Sequence, residues 1–134
     1  MRVLALDYGS ARCGVAISDP TGTIATPLEP IEQVGTRAGL GRLAALVRER
    51  EVERIVLGLP LSLAGSETTQ TQETREFAER LRTRLPDVPL ELHDERLTTR
   101  LAARDRHAKA SEDSRAAAHL LESWLLGGFR GTAR

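Results

Sequence analysis

The sequence predicts an α/β fold in which a mixed five-stranded sheet is flanked by helices. Short, almost wholly apolar runs indicate strands that are covered on both faces. Glycines around a turn near the start predict an antiparallel hairpin. In the second half, strands alternate with amphipathic segments, which implies parallel strands joined by right-handed crossovers. The 134 residues suit one domain with a single core, and we expect that domain to span residues 1–134.

The first three predicted strands are antiparallel. Residues 3–8 are almost entirely apolar, as a central strand requires, and the hairpin leads into a second strand over residues 13–18. A third strand is predicted over residues 24–31. Because Pro27 and Pro30 cannot donate a backbone hydrogen bond, this strand belongs at an edge of the sheet.

Helices and strands alternate in the rest of the chain. A first helix begins near residue 40, a buried strand covers 54–59, and a loop rich in glycine, serine and threonine covers 61–71. A second helix has apolar residues at every fourth position and stops before a proline. These apolar positions are Leu40, Leu43, Leu46 and Val47 in the first helix, and Phe77, Leu81 and Leu85 in the second.

The C-terminal third predicts a last strand and two more helices. Residues 90–93 form the fifth strand, a third helix covers about 98–107, and a fourth covers about 112–126. Ser111 is a candidate N-cap of the fourth helix, and Gly127 follows its end.

Composition excludes some classes of function. The 19 basic and 19 acidic residues give a net charge of zero, which argues against a protein that coats nucleic acid by bulk attraction. No apolar run approaches the roughly 20 residues of a membrane span, so no membrane partner is expected. A single cysteine, Cys13, cannot form an internal disulfide, and a reducing cytoplasm is the expected compartment.

Asp7 is the first candidate site residue. It ends the first strand, where open α/β folds place their ligands, and alternation puts it on the same face as Val3 and Ala5. The alternative is a structural role, in which its carboxylate caps the following turn at Gly9 and Ser10.

Asp94 and Glu95 follow the fifth strand in the same way. Two adjacent carboxylates at a strand end are costly to bury, and alternation points them to opposite faces, so only one would reach a shared site. The spacing does not decide which. The alternative is that Asp94 or Thr98 caps the next helix while Glu95 pairs with Arg96 or Arg100.

Asp113 lies in the first turn of the last helix, where acids often complement the helix dipole. Here, however, it begins an apolar stripe that faces inward. The stripe consists of Asp113, Ala117, Leu120, Leu121 and Trp124.

Carboxylates from two strand ends and one helix suit Mg²⁺ or Mn²⁺, and two such ions can clamp a phosphodiester for attack by water.

Basic residues follow the second acidic position. Arg96, Arg100 and Arg104 are spaced to share one helical face, and Lys109 ends this basic segment. Phosphate binding would use such a face, although solvated helices commonly carry one too. The residues Gly58-Leu59-Pro60 with Gly65 and Ser66 form either a phosphate-binding loop or a plain surface loop, and they lack the P-loop pattern.

These motifs together resemble the YqgF/RuvX family of Holliday-junction-resolvase-like nucleases, which includes the pre-16S rRNA nucleases. The matching segments are residues 6–16 (LDYGSARCGVA), Gly58-Leu59-Pro60 with Gly65, residues 94–99 (DERLTT), and Asp113-Ser114 with Ala116-Ala117 and Leu120-Leu121. They span almost the whole chain in the family's order. Ser62 and Ala64 depart from the family, which commonly has Asn and Asp in this loop.

The resemblance implies an RNase H-like fold and a metal-dependent phosphodiesterase. Carried over by position, it makes Asp7, Glu95 and Asp113 the metal-binding acids, and it places Arg12 and Arg96 near the site. The choice of Glu95 over Asp94 rests on the family pattern alone.

The leading hypothesis is a cytoplasmic nuclease that cuts RNA or DNA with Mg²⁺ or Mn²⁺. Its expected nucleic-acid-binding residues are Arg12, Arg96, Arg100, Arg104 and Lys109. We expect a monomer or a homodimer, since junction resolution needs paired active sites. One rival is a non-catalytic nucleic-acid-binding module. A second is an actin-like ATP-binding phosphotransferase half, which would need a second domain that 134 residues do not provide.

Overall fold

The computed structural model describes residues 1–97 and 110–127 of the chain, and these residues form the predicted α/β fold. A 3₁₀ turn, Glu95–Leu97, follows the last strand. The strands are β1 (Val3–Asp7), β2 (Arg12–Ser18), β3 (Ala25–Glu32), β4 (Arg54–Leu59) and β5 (Leu90–Asp94), and the helices are α1 (Arg37–Glu49), α2 (Thr69–Arg84) and α3 (Glu112–Gly127).

The five strands form one mixed sheet in the order β3-β2-β1-β4-β5. Strands β1, β2 and β3 are antiparallel neighbours, whereas β1, β4 and β5 are parallel. Both directions agree with the prediction. Strand β3 lies at an edge, as its two prolines require.

Helices cover both faces of the sheet, and strand alternation decides which residue meets which helix. Leu4 and Leu6 pack in one cluster with Leu43 of α1 and Phe77 of α2. Val3 and its neighbours on the other face pack against α3, where Trp124 closes the cluster. Asp7 continues the side of β1 that carries Val3 and Ala5, as predicted, and α3 covers that side.

Helix α3 packs unusually close to β2 because small residues face it. A β-carbon on Gly14 would lie 1.9 Å from the carbonyl oxygen of Asp113, so only glycine permits this approach. The Val15 amide donates to the hydroxyl of buried Ser114 at 3.2 Å. This contact fixes the first turn of α3, and with it Asp113, against the sheet.

Two helices begin earlier than predicted. Helix α1 starts at Arg37 after the N-cap Thr36. The predicted loop 61–71 is too long, because α2 begins at Thr69 behind a capping box formed by Thr68 and Thr71. Thr71 is fully buried and donates its hydroxyl to the carbonyl of Pro60.

The last helix agrees with its prediction. The Ser114 amide donates to the Ser111 hydroxyl at 3.1 Å, so Ser111 does act as an N-terminal cap. The helix predicted over 98–107 lies outside the described residues. None of the helices described is both long and apolar enough to cross a membrane.

Candidate active site

The candidate site lies where β1 and β5 end, on the face of the sheet that α3 covers. Asp7 is the last residue of β1, and Glu95 follows directly after β5. His93 contacts Ser123 of α3 at 3.3 Å, which shows that this position of β5 faces the helix. Two residues on, Glu95 therefore continues the same face, and Asp94 points away from it.

Asp7 and Glu95 are in direct contact through a side-chain hydrogen bond. The room for this pair comes from Gly58 on β4, the strand between them. A β-carbon on Gly58 would lie 2.6 Å from the Glu95 Oε2 atom. The glycine of the Gly-Leu-Pro motif thus makes space for the second carboxyl group.

Burial and like charge make this pair costly. Burial raises the pKa of Asp7, and the nearby charge of Asp113 raises it further, although the hydrogen bond from Glu95 opposes the shift. Burial and then the charge of Asp7 raise the pKa of Glu95 to about 7. A hydrogen bond between two carboxyl groups needs a proton, and a bound cation would remove that need by neutralising both.

Asp113 faces the same site but is held by Arg12. The Arg12 Nε atom lies 3.0 Å from Asp113 Oδ2. The Asp113 carboxylate raises the pKa of Arg12, so this guanidinium stays charged. Both side chains reach solvent, with 56% of Arg12 and 38% of Asp113 exposed.

A groove of about 390 Å³ runs beside this ion pair. Its floor is the turn between β1 and β2, and one wall is the start of α2. The lining residues are Tyr8, Gly9, Ser10, Ala11, Arg12, Gln70, Glu73 and Asp113. Of the three candidate acids, Asp113 lines this groove, whereas Asp7 and Glu95 do not.

The donor chemistry of the site suits Mg²⁺ or Mn²⁺, because carboxylate oxygens are the ligands such ions prefer. The described residues contain no group of three or more His, Cys, Asp or Glu side chains arranged to hold a metal ion. Asp7 and Glu95 form a pair, and Asp113 stands apart with Arg12 as its partner. Because Arg12 contacts Oδ2, Asp113 would join an oxygen-ligand set through Oδ1 or by exchanging that partner.

Asp94 has a different role from Glu95. Its carboxylate accepts from the Arg96 backbone amide at 2.9 Å and from the Arg96 guanidinium at 2.6 Å. This contact lowers the pKa of Asp94. Asp94 thus accepts hydrogen bonds within the 3₁₀ turn that follows β5, and Arg96 pairs with Asp94 and not with Glu95. The helix that Asp94 was considered to cap lies outside the described residues.

A family comparison decides the identity. The family model described as "RuvX: Holliday junction resolvase" matches residues 1–127. The chain belongs to the RuvX family. Relatives named "Putative pre-16S rRNA nuclease" include proteins from Corynebacterium jeikeium (39% identical over 92% of this chain and 85% of that protein) and Maridesulfovibrio salexigens (40%, 93% and 98%). A Mycobacterium tuberculosis relative of the same name is 43% identical over 98% of this chain and 84% of its own length.

Solved structures agree on the fold. Thermus thermophilus RuvC in complex with a Holliday junction substrate superposes with a TM-score of 0.62 over 92% of this chain and 91% of that one, at 13% identity. A second T. thermophilus RuvC structure gives a TM-score of 0.56. The RNase H-like fold implied by the resemblance is confirmed.

Four basic residues were expected near the site in addition to Arg12, and the structure describes one of them. Arg100, Arg104 and Lys109 lie outside the described residues. Arg96 is described, and its guanidinium bonds to Asp94 and to the Leu63 carbonyl. The loop after Pro60 uses its own amides internally, since the Gly65 amide donates to the Ser62 carbonyl at 2.8 Å.

Two groove residues, Gln70 and Glu73, were not among the residues predicted for the site. Both lie in the first turns of α2, where a loop was predicted. A capping box normally pairs Ser or Thr with Glu or Gln, and here both positions are threonine. The signal was the threonine pair Thr68 and Thr71, three residues apart.

Proposed function

We propose that this protein is a metal-dependent nuclease that cuts phosphodiester bonds of RNA in the precursor of 16S rRNA. The observation that carries the proposal is the contact between the half-buried carboxyl groups of Asp7 and Glu95. Such a pair destabilises the fold unless a cation offsets it, so its presence favours a binding role over a structural one. The names of the relatives support RNA as the substrate.

In this proposal Asp7, Glu95 and Asp113 hold Mg²⁺ or Mn²⁺, with the first two as a preformed pair. Bound there, the ions would activate water and neutralise charge on the scissile phosphate. Arg12 keeps Asp113 neutralised and in place until then. Its exposed guanidinium would afterwards be free to contact the phosphate backbone at the mouth of the groove.

The remaining basic residues complete the proposed nucleic-acid contact. Arg96 fixes the loop beside the acids, and we assign Arg100, Arg104 and Lys109 to backbone phosphates. Because the net charge of the chain is zero, binding depends on this local patch. We place the activity in the cytoplasm, because that compartment keeps thiols such as the buried, free Cys13 reduced.

Four-way DNA junctions are the second candidate substrate, because the family model is described by Holliday junction resolution. Cutting a junction symmetrically needs two active sites, so this activity would require a homodimer, whereas RNA processing is open to a monomer. The oligomeric state in solution therefore bears on the choice.

A cleavage panel tests the proposal. The purified protein is incubated with precursor RNA spanning the 5′ end of 16S rRNA, junction DNA and single-stranded DNA, with Mg²⁺, Mn²⁺ or chelator. We expect metal-dependent cleavage of the RNA. Asp7→Asn and Asp113→Asn should each lower the rate by about a thousandfold or more, because a metal ligand is lost.

Asp87→Asn is the matched control, because Asp87 is exposed in the turn after α2 and away from the site. It should leave cleavage unchanged. Full activity of Asp7→Asn would overturn the site assignment. Binding of RNA without cleavage, unaffected by chelator, would favour the non-catalytic module, and tight ATP binding would favour the actin-like phosphotransferase half.

A further inference from the structure

Leu63 is the most exposed of the large hydrophobic side chains in the described part of the chain, with 94% of its surface open to solvent. It lies at the tip of the loop between β4 and α2. An isolated exposed leucine is ordinary on a protein surface, so its surroundings must decide whether it has a function.

The loop holds Leu63 outward by several hydrogen bonds. The Ser62 amide donates to the Ser66 carbonyl at 3.0 Å, and the Gly65 amide donates to the Ser62 carbonyl at 2.8 Å. The Ser66 amide also donates to the Ser62 hydroxyl at 3.0 Å. The tip is thus a turn closed by three hydrogen bonds, and the apolar side chain of Leu63 projects from it into water.

The same loop is fastened to the candidate active site. The Arg96 Nη1 atom donates to the Leu63 carbonyl at 3.3 Å, while the rest of that guanidinium binds Asp94. Arg96 is the direct neighbour of Glu95. At its other end the loop leaves β4 just after Gly58, which lies against the Glu95 carboxylate. Leu63 therefore projects from a rigid support beside the proposed metal ligands.

We propose, building on the nuclease function above, that Leu63 is an apolar wedge that packs on the face of an unstacked nucleobase next to the scissile phosphate. A leucine offers no hydrogen-bonding group, so it would accept any base without reading its identity. A protein partner fits less well, because the other large exposed hydrophobics among the described residues are at other places. They are Met1, Ile24 and Leu126.

The binding free energy that one leucine can contribute indicates which class of RNA would be bound. Burying one leucine side chain is worth about tenfold to a hundredfold in binding, which at best offsets the unstacking of one paired base. Inserting Leu63 into a continuous duplex would therefore give no net gain in binding free energy. It favours RNA in which the base at the cleavage site is already unpaired, as in a bulge, a loop or a single strand.

Binding tests this without relying on cleavage. The Asp7→Asn protein, which should not cut, is titrated into an RNA duplex with one bulged 2-aminopurine and into the same duplex fully paired. We expect bulged RNA to bind about tenfold more tightly than paired RNA. The 2-aminopurine fluorescence should rise as the base leaves its neighbours.

Three further variants in the Asp7→Asn background sharpen the result. Leu63→Ala should lose both the preference for bulged RNA and the fluorescence rise, and Leu63→Met should keep them. Ile24→Ala is the matched control, since Ile24 is an exposed hydrophobic (57%) at the opposite end of the sheet, and it should change neither. Equal preference for the bulge in Leu63→Ala would overturn the wedge.

The two proposals fail in different ways. If the unaltered protein cuts no RNA, the nuclease function is wrong, whatever the binding preference. If it cuts RNA and Leu63→Ala cuts bulged RNA with the same KM and kcat, the nuclease function stands and the wedge is wrong.

Discussion

An aspartate lies at each end of the sheet, and the surroundings of the two shift their pKa values in opposite directions. Asp19, beyond the end of β2, accepts hydrogen bonds from the amides of Thr23 (2.7 Å) and Ile24 (2.8 Å). These amides, the Ile24 amide foremost, lower the pKa of Asp19. Asp7, at the end of β1, is buried beside Glu95 instead, and burial raises its pKa.

The contrast separates a structural acid from a functional one. The carboxylate of Asp19 is satisfied by its own turn, so its charge stabilises the fold. The charges of Asp7 and Glu95 repel each other in a buried place, so they oppose folding until a cation arrives. An acid whose environment penalises its charged form is a candidate for binding chemistry.

The larger expected effect is at Glu95. For Glu95→Gln in the presence of chelator, we expect higher stability than the unaltered protein at pH 8 and equal stability near pH 4.5. A raised carboxyl pKa costs nothing below the unfolded value near 4.5, and the cost grows as pH rises to about 7. Because solvent screens this partly exposed group, the gain should be on the order of 1–2 kcal/mol.

Urea unfolding at both pH values measures this difference. Added Mg²⁺ should reverse the order at pH 8, because only the unaltered protein keeps its full ligand set. If Glu95→Gln is no more stable than the unaltered protein at pH 8 under chelation, the pair is not repulsive and the contrast with Asp19 disappears.

A smaller effect of opposite sign is expected at Asp19. Asp19→Ala should lower the thermal midpoint at pH 7, because the Thr23 and Ile24 amides lose their acceptor. A depressed carboxyl pKa stabilises the fold above the unfolded value near 3.8, and this stabilisation is lost as pH falls below it. The gap between the two proteins should therefore shrink below pH 4 in thermal unfolding, and a gap that widens there would contradict the assignment.

Local patterns in the sequence were enough for much of the fold and part of the site. Alternation along β1 placed Asp7 on the face of Val3 and Ala5, the prolines placed β3 at an edge, and Ser111 marked the start of α3. Each of these depends on residues close together in the chain. They are the features that backbone geometry and capping determine without tertiary contacts.

Features that depend on tertiary contacts could not be predicted. Alternation separated Asp94 from Glu95 but did not say which faces the site, because that depends on where α3 packs against β5. The ion pair between Arg12 and Asp113 joins residues 101 positions apart. It forms because Gly14 lets α3 approach β2 closely, and no local pattern carries that information.

The central claim is that Asp7, Glu95 and Asp113 act as one metal site, although Arg12 holds Asp113 in the structure. Titration of Mn²⁺, followed by electron paramagnetic resonance, tests it most directly. We predict that Asp7→Asn, Glu95→Gln and Asp113→Asn each weaken Mn²⁺ binding by more than the roughly 10- to 100-fold that loss of an outer-shell partner costs, while Asp87→Asn has no effect. Unchanged Mn²⁺ affinity in Asp113→Asn would contradict the claim.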